Sequence, residues 1–265
     1  MTMKSEAASR EGESGVKAIV HSITDAWHQS LTKPGIVIIS TFVALLIWGP
    51  LGKPLFYPWL EAWVGRDLAT QGFRRQLVSY LTGFVLLVLI PILLIRFRFK
   101  EPLRNFGLGL GNVRLGLLFT VLFSVLTIVP FYFTARDPVM MREYPMLYAG
   151  LSDEQLRSAF DWTTYIEYEL LYAVFFLVIE FTFRGYLLFG LKQQFGGQYA
   201  ILIQMLPYVA WHLAKPLAEV WPTPVWGFVV AAATLRVGSV WYIFFAHWLL
   251  NIFMDSMILM NRGIF

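Results

Sequence analysis

The sequence predicts an all-α protein built as a polytopic bundle of about seven transmembrane helices. Hydrophobic residues make up 57% of the 265 residues, charged residues only 14%, and the mean hydropathy is +0.60. A soluble domain typically has roughly 45–50% apolar and about 25% charged residues, so this composition excludes an ordinary water-soluble fold. The chain has no cysteine, which excludes disulfides, thiolate metal sites and a cysteine nucleophile.

The N-terminal tail, residues 1–33, is polar and lacks the short apolar core and small-residue cleavage site of a removable signal peptide. Apolar residues in this tail recur at helical spacing, at Val16, Ile19, Val20, Ile23 and Trp27. One interpretation is an amphipathic helix on the membrane surface, and the other is a solvated, frayed tail. We expect an integral membrane domain to follow over residues 34–265.

Apolar stretches suited to crossing a bilayer fill the rest of the chain. A spanning helix needs about 20 apolar residues. Stretches that approach or reach this length cover residues 36–50, 77–97, 115–134, 164–191, 198–214, 224–235 and 239–260. Leu55 to Val64 is apolar but contains Pro58, so it is predicted to be interfacial or re-entrant. Ser152 followed by Gln155 is typical of a capping box that opens a short helix before the span from about Asp161.

The net charge of +4 is better explained by membrane topology than by a nucleic-acid-binding face. Lys and Arg lie mostly between the apolar stretches, and residues 96–114 form the most cation-rich loop. The positive-inside rule places this loop in the cytoplasm, although Arg66, Arg74 and Arg75 would then lie on the opposite side. We expect a multi-pass protein of a bacterial plasma membrane, in contact with lipid and with no nucleic-acid partner.

Three pairs of polar residues lie inside the apolar segments. They are Glu180 with Arg184, Tyr208 with His212, and His247 with Asn251. The i, i+4 spacing puts both members of each pair on one face of a helix, one turn apart. A charge at the centre of a transmembrane helix costs about 2.5–3.5 kcal/mol on insertion scales, so these residues are candidates for a functional site.

A glutamate and two histidines that converge in a cavity between helices are the groups needed to activate water for hydrolysis. The carboxylate or an imidazole acts as the base. An asparagine and a second histidine can donate hydrogen bonds to the oxygen that becomes negative. The pairs also have structural interpretations: an ion pair for Glu180 and Arg184, a core histidine for His212, and interhelical hydrogen bonding for His247 and Asn251.

Four other ionisable side chains lie near these pairs. Asp255 continues the face of the third pair by one turn and either lines the same cavity or lies near the helix end. Lys215 and Glu219 follow the second pair and are predicted at the membrane interface, where they are candidates for the rim of a substrate entrance. Glu169 lies near the start of its span and is predicted to be structural.

The order and spacing of the three pairs resemble the CPBP family of CAAX proteases and bacteriocin-processing enzymes, also called Abi proteins. That family is marked by EExxxR, FxxxH and HxxxN or HxxxD on successive helices, and this chain has IEFTFRG, YVAWH and HWLLN in the same order. The resemblance covers roughly residues 100–260.

The resemblance implies a glutamate-type intramembrane endopeptidase that acts on a membrane-associated or C-terminal peptide. We expect no cofactor and no metal. Glu180 and His212 would handle the attacking water. Arg184 would orient the carboxylate, and His247 with Asn251 would stabilise the oxyanion.

The chain departs from the family pattern at two positions. Tyr208 replaces the Phe of FxxxH and keeps an aromatic ring. Ile179 replaces the first Glu of EExxxR, which is the presumed base in the family, and Glu180 paired with Arg184 would be a poorer base. Three alternatives therefore stay open: a non-catalytic membrane scaffold or chaperone, a zinc-dependent protease, and a transporter with a proton relay, against which the absence of repeated halves argues.

Overall fold

The computed structural model describes residues 15–51, 59 and 68–265, with side chains at 15–51, 59 and 73–265, and these residues form helices and loops without a β-strand. Six segments in this part of the chain are long and apolar enough to cross a membrane: Lys33–Leu51, Phe73–Arg98, Val113–Thr134, Trp162–His212, Leu217–Val237 and Trp241–Asn261. The predicted polytopic helix bundle is thereby confirmed. The predicted interfacial segment from Leu55 to Val64 lies, apart from Trp59, outside the described residues.

The longest of these segments is interrupted by a glycine. Trp162–His212 has 51 residues and would reach about 76 Å as one straight helix at 1.5 Å per residue. This is more than twice the hydrocarbon thickness of about 30 Å. Gly196 breaks the helix with φ 77° and ψ 160°, a backbone conformation open to glycine. The predicted segments 164–191 and 198–214 lie on the two sides of this break, so the sequence counts as two spans a stretch that appears once among the six segments.

The helices are numbered in chain order. They are α1 Gly15–Ser30, α2 Lys33–Leu46, α3 Leu68–Phe84, α4 Val113–Thr134, α5 Pro138–Glu143, α6 Asp153–Ala159, α7 Trp162–Glu180, α8 Leu188–His212, α9 Leu217–Val220, α10 Thr223–Val237 and α11 Trp241–Asn261. Wider π-helical turns extend α2 through Ile47–Leu51 and join α7 to α8 through Phe181–Leu187. Helix α3 continues as helical turns to Arg98.

Helix α1 presents its apolar residues outward. Val16, Ile19, Val20, Ile23 and Trp27 are each more than half exposed, and no residue of α1 is buried. A helix therefore forms in the described part of the tail, with the predicted apolar residues available to another surface. Its location on the membrane surface stays a prediction.

Side-chain caps fix the starts of α6 and of α7, the helix that ends at Glu180. Ser152 and Gln155 form the predicted capping box at α6, with both reciprocal hydrogen bonds present. Asp161 caps α7 by accepting from the backbone N–H of Thr164 at 2.8 Å. This bond, together with one from the Thr164 hydroxyl, holds the pKa of Asp161 below its ordinary value. The start of α7 is therefore fixed by a capping residue that can be recognised in the sequence.

The run from α7 to α8 is the central element of the bundle. Its most apolar window is 89% buried, against 17% to 50% in the other five spans of the described chain. Aromatic rings pack around it, with Trp48 stacked on Trp211 at 4.5 Å and Tyr80 stacked on Tyr172 at 5.5 Å between ring centroids. Side chains at the middle of this run are therefore shielded from lipid on all sides.

Candidate active site

A cavity of about 170 Å³ lies inside the bundle, bounded by side chains of α4, α7, α8, α10 and α11. All five residues predicted for the site line this central cavity: Glu180, Arg184, His212, His247 and Asn251. On the order of 10–15 Å³ is enough to hold one water molecule, so the cavity has room for several. Three helices therefore contribute polar groups to one space that water can occupy.

Glu180 is the centre of the polar contacts. Its Oε1 lies 2.8 Å from Nδ1 of His247, and its Oε2 lies 3.5 Å from Nε of Arg184. The side chains of Glu180 and Arg184 are each 1% exposed, whereas that of His247 is 28% exposed. Because Nδ1 of His247 donates to the carboxylate, the neutral imidazole has its proton on Nδ1 and an acceptor lone pair on Nε2.

Arg184 lies in the wide turns of Phe181–Leu187, between Glu180 and an aromatic ring. Its guanidinium carbon is 3.8 Å from the ring centroid of Tyr208, which is a cation–π geometry. Its Nη1 has no hydrogen-bond partner among the described residues. A buried N–H group without a partner is costly, so this nitrogen is a ready donor to a negative oxygen in the cavity. Isolated π-helical turns of this kind are frequent at functional sites.

His212 is the last residue of α8 and is held by its own helix. Its Nδ1 is 2.8 Å from the carbonyl oxygen of Tyr208, and its ring centroid is 4.6 Å from that of Tyr208. A carbonyl can only accept, so Nδ1 of His212 donates and Nε2 is again the acceptor. Both histidines of the cavity therefore present an unprotonated Nε2 in their neutral forms.

Asn251 and Asp255 continue the third polar face into the interior. Asn251 is 5% exposed and lines the cavity, and its Nδ2 lies 3.4 Å from Oδ2 of Asp255. Asp255 is fully buried and lies beside Asn251 rather than in the cavity wall. Asp255 was expected either to line the cavity or to lie near the end of its helix. It does neither, because it lies in the interior of α11 and outside the cavity wall.

A second polar group occupies another part of the cavity wall. Tyr144 Oη donates to Glu219 Oε1 at 2.7 Å, and Lys215 Nζ lies 2.8 Å from Glu219 Oε2. Burial raises the pKa of Tyr144 well above its ordinary value, so its hydroxyl remains a hydrogen-bond donor. Lys215 and Glu219, predicted at the interface as candidates for the rim of a substrate entrance, both belong to the cavity lining. Tyr144 was missed, because it follows a short loop helix where no hydrophobic periodicity marks a buried face.

Ile179 occupies the position at which the family pattern has its first glutamate. Its side chain is 3% exposed and lines the cavity next to Glu180. The missing carboxylate of the family pattern is therefore replaced by an apolar group inside the site itself.

The polar groups do not form a metal centre in the part of the chain that the structure describes. No three His, Asp or Glu side chains there are grouped to hold an ion. A zinc site would need Glu180, His212 and His247 around one ion. Glu180 and His247 instead bond directly to each other, so the residues present do not fit the zinc alternative.

The fold and the cavity together define a class: a multi-pass membrane protein with a glutamate, an arginine, an asparagine and two histidines inside its helix bundle. Residues 162–253 match the family model described as type II CAAX prenyl endopeptidase Rce1-like, and this segment contains all five predicted site residues. The resemblance to the CAAX protease family is thereby confirmed, and it supports a membrane protease of the CAAX type. No curated protein and no solved structure gives a significant match.

Proposed function

We propose that this protein is an intramembrane endopeptidase that hydrolyses a peptide bond with a water molecule activated by His247. The observation that carries the proposal is the 2.8 Å contact between Glu180 Oε1 and His247 Nδ1 in a cavity with room for water. A buried carboxylate bonded to Nδ1 orients the imidazole and stabilises the imidazolium that forms when Nε2 takes a proton. Such a positioned base contributes typically about 10²- to 10⁴-fold to a rate.

The other cavity residues have roles that follow from their donors and acceptors. Nε2 of His247 takes a proton from water, and the resulting hydroxide oxygen attacks the carbonyl carbon of the peptide bond. Arg184 and Asn251 donate hydrogen bonds to the oxygen that becomes negative. The imidazolium then gives its proton to the amide nitrogen, and the carbon–nitrogen bond breaks to release an amine and a carboxylic acid, which loses its proton to solvent. Nε2 of His212 offers a second acceptor that orients the water.

This assignment reduces the importance of the carboxylate that the family pattern has at position 179. The resemblance implies that Glu180 and His212 activate the water. In that mechanism the ion pair with Arg184 is a disadvantage, because it makes Glu180 a poorer base. If His247 is the base, Glu180 has only to remain ionised beside it. The buried Arg184 favours that ionised state, so the ion pair supports the proposal.

The experiment compares proteolytic products in cells. The host bacterium carries the wild type, His247→Ala or Leu126→Ala as its only copy, and mass spectrometry identifies the termini of all membrane and exported proteins. Leu126 is 61% exposed on a spanning helix and lies away from the cavity, so its variant is the matched control. We expect a set of new termini with the wild type and the control that is absent with His247→Ala.

The same experiment tests the alternatives and the location. Identical termini in all three strains, with each variant inserted at equal level, would contradict the protease and favour a scaffold that holds a peptide in the same cavity. Fractionation tests our further proposal that the protein acts in the plasma membrane of a bacterium. The lost termini would identify the substrate, which we propose to be a peptide or protein held in that membrane.

A further inference from the structure

Two acidic side chains lie buried between α7 and α11: Glu169 on α7, and Asp255 on α11, one helical turn beyond Asn251. Glu169 is 5% exposed and Asp255 is fully buried. Their carboxyl groups lie within hydrogen-bonding reach of each other. The two helices are tied together nearby, because Trp248 Nε1 donates to the backbone carbonyl of Glu169 at 2.8 Å. The carboxyl pair is therefore part of a fixed helix contact.

The pair lacks the partners that two ionised carboxylates need. Besides each other, Glu169 has only the Tyr165 hydroxyl and Asp255 only the Asn251 amide as a side-chain hydrogen-bond partner among the described residues. No Lys, Arg or His in this part of the chain forms an ion pair with either group. Two unpaired charges at this depth are very unfavourable. One proton between the two groups supplies the missing hydrogen bond and removes one of the charges.

The carboxyl pair is connected to the central cavity through Asn251. Nδ2 of Asn251 lies 3.4 Å from Oδ2 of Asp255, and Asn251 lines the cavity. An amide nitrogen carries two hydrogens. When one of them is donated to Asp255, the other is left for a group in the cavity. Without this acceptor the amide has no fixed orientation, because the last torsion of an asparagine side chain is broad.

We propose that Glu169 and Asp255 share one proton and act as positioning residues, with Asp255 holding the amide of Asn251 so that its second N–H serves the oxyanion. The catalytic consequence rests on the proposed function, whereas the shared proton does not depend on it. The two parts are tested by different measurements on the full-length protein.

Infrared spectroscopy of the purified protein tests the shared proton. In Asp255→Asn or Glu169→Gln, the new amide N–H takes the place of that proton and the remaining carboxyl group stays ionised. We expect each single variant to lose one carbonyl stretch of a protonated carboxylic acid relative to the wild type. The double variant should show no further loss. No loss in the single variants, or a second band lost in the double variant, would overturn the shared proton.

Cleavage kinetics test the positioning of Asn251. Asp255→Ala should lower kcat about ten-fold with little change in KM, as expected for loss of one hydrogen bond that acts in the transition state. Asp255→Asn should recover most of kcat, since its Oδ1 accepts from Asn251 and its amide donates to Glu169. The variant with both Asn251→Ala and Asp255→Ala should match Asn251→Ala alone, because Asp255 acts through Asn251.

Leu259→Ala is the control for a general loss of packing, since Leu259 is fully buried on the same helix. Its effect should multiply with that of Asn251→Ala. If the effect of Asp255→Ala multiplies in the same way, or if Asp255→Asn is as impaired as Asp255→Ala, Asp255 does not position Asn251. A wild type that cleaves nothing would refute the proposed function, and the infrared result would still decide the carboxyl pair.

Discussion

Replacing Glu180 with Gln removes one charge and almost no volume from the centre of the site. The carboxylate is 1% exposed, forms a hydrogen bond with His247 on one side and an ion pair with Arg184 on the other. A hydrogen bond to a charged group contributes about 1.5–3 kcal/mol. Loss of that contribution from the transition state corresponds to about a 10- to 150-fold lower kcat, since 1.36 kcal/mol is a factor of ten.

The same change has a separate effect on stability. Arg184 is 1% exposed and would be left without its counter-charge, which typically costs about 3–5 kcal/mol for a buried pair. Removing Arg184 as well, in the double variant Glu180→Gln with Arg184→Met, leaves no unpaired charge and should restore most of the stability. Cleavage should not recover, because the charge that stabilises the imidazolium of His247 and the cation near the oxyanion are both gone.

The assay follows unfolding in detergent and initial cleavage rates for the wild type, the single variant Glu180→Gln and the double variant. We expect the double variant to recover stability without recovering activity. Cleavage by Glu180→Gln at the wild-type rate, or recovery of cleavage together with stability in the double variant, would refute this expectation.

Three other substitutions test individual contacts. His212→Ala should lower kcat about 10²-fold through loss of an acceptor for the water, and an unchanged rate would remove His212 from the mechanism. Tyr144→Phe should destabilise the protein by about 1.5–3 kcal/mol, because a hydrogen bond to the carboxylate of Glu219 is lost; thermal unfolding measures this, and an unaltered transition would contradict it. Gly83→Ala would place a Cβ 2.7 Å from the indole of Trp48 and should cost about 1–3 kcal/mol by overpacking, so an equally stable variant would show that Trp48 can shift freely.

Hydropathy and spacing along the chain predicted the parts of this molecule that depend on neighbouring residues only. The spans, the capping box at Ser152 and the common face of each i, i+4 pair are all properties of a short segment. The interruption at Gly196 also lies between two segments that the sequence separates. Contacts between distant segments are different, because a helical face does not specify which other helix it meets.

The partner of Glu180 shows this limit. The spacing pairs it with Arg184 on the same helix, and the family resemblance associates it with His212. The structure keeps the ion pair with Arg184 and adds a hydrogen bond with His247, 67 residues away in the chain. Tyr144 was missed for the same reason, since its contact with Glu219 joins segments 75 residues apart. Both contacts depend on how α4 to α11 pack, and a single sequence carries no direct record of that packing.

A substitution at position 179 tests whether His247 is an adequate base without the carboxylate that the family pattern has there. Ile179 lines the cavity beside Glu180, so Ile179→Glu returns a carboxylate to the place where the family pattern has its presumed base. If His247 acts alone as an adequate base, Ile179→Glu should change kcat less than about ten-fold, because a second base then adds little of the 10²- to 10⁴-fold that such a group typically contributes. Ile179→Gln, which has similar size and no charge, is the control for the disturbed packing. A gain well above ten-fold in Ile179→Glu but not in Ile179→Gln would contradict this expectation, because His247 would then be an inadequate base and the natural chain would bind peptides better than it cleaves them.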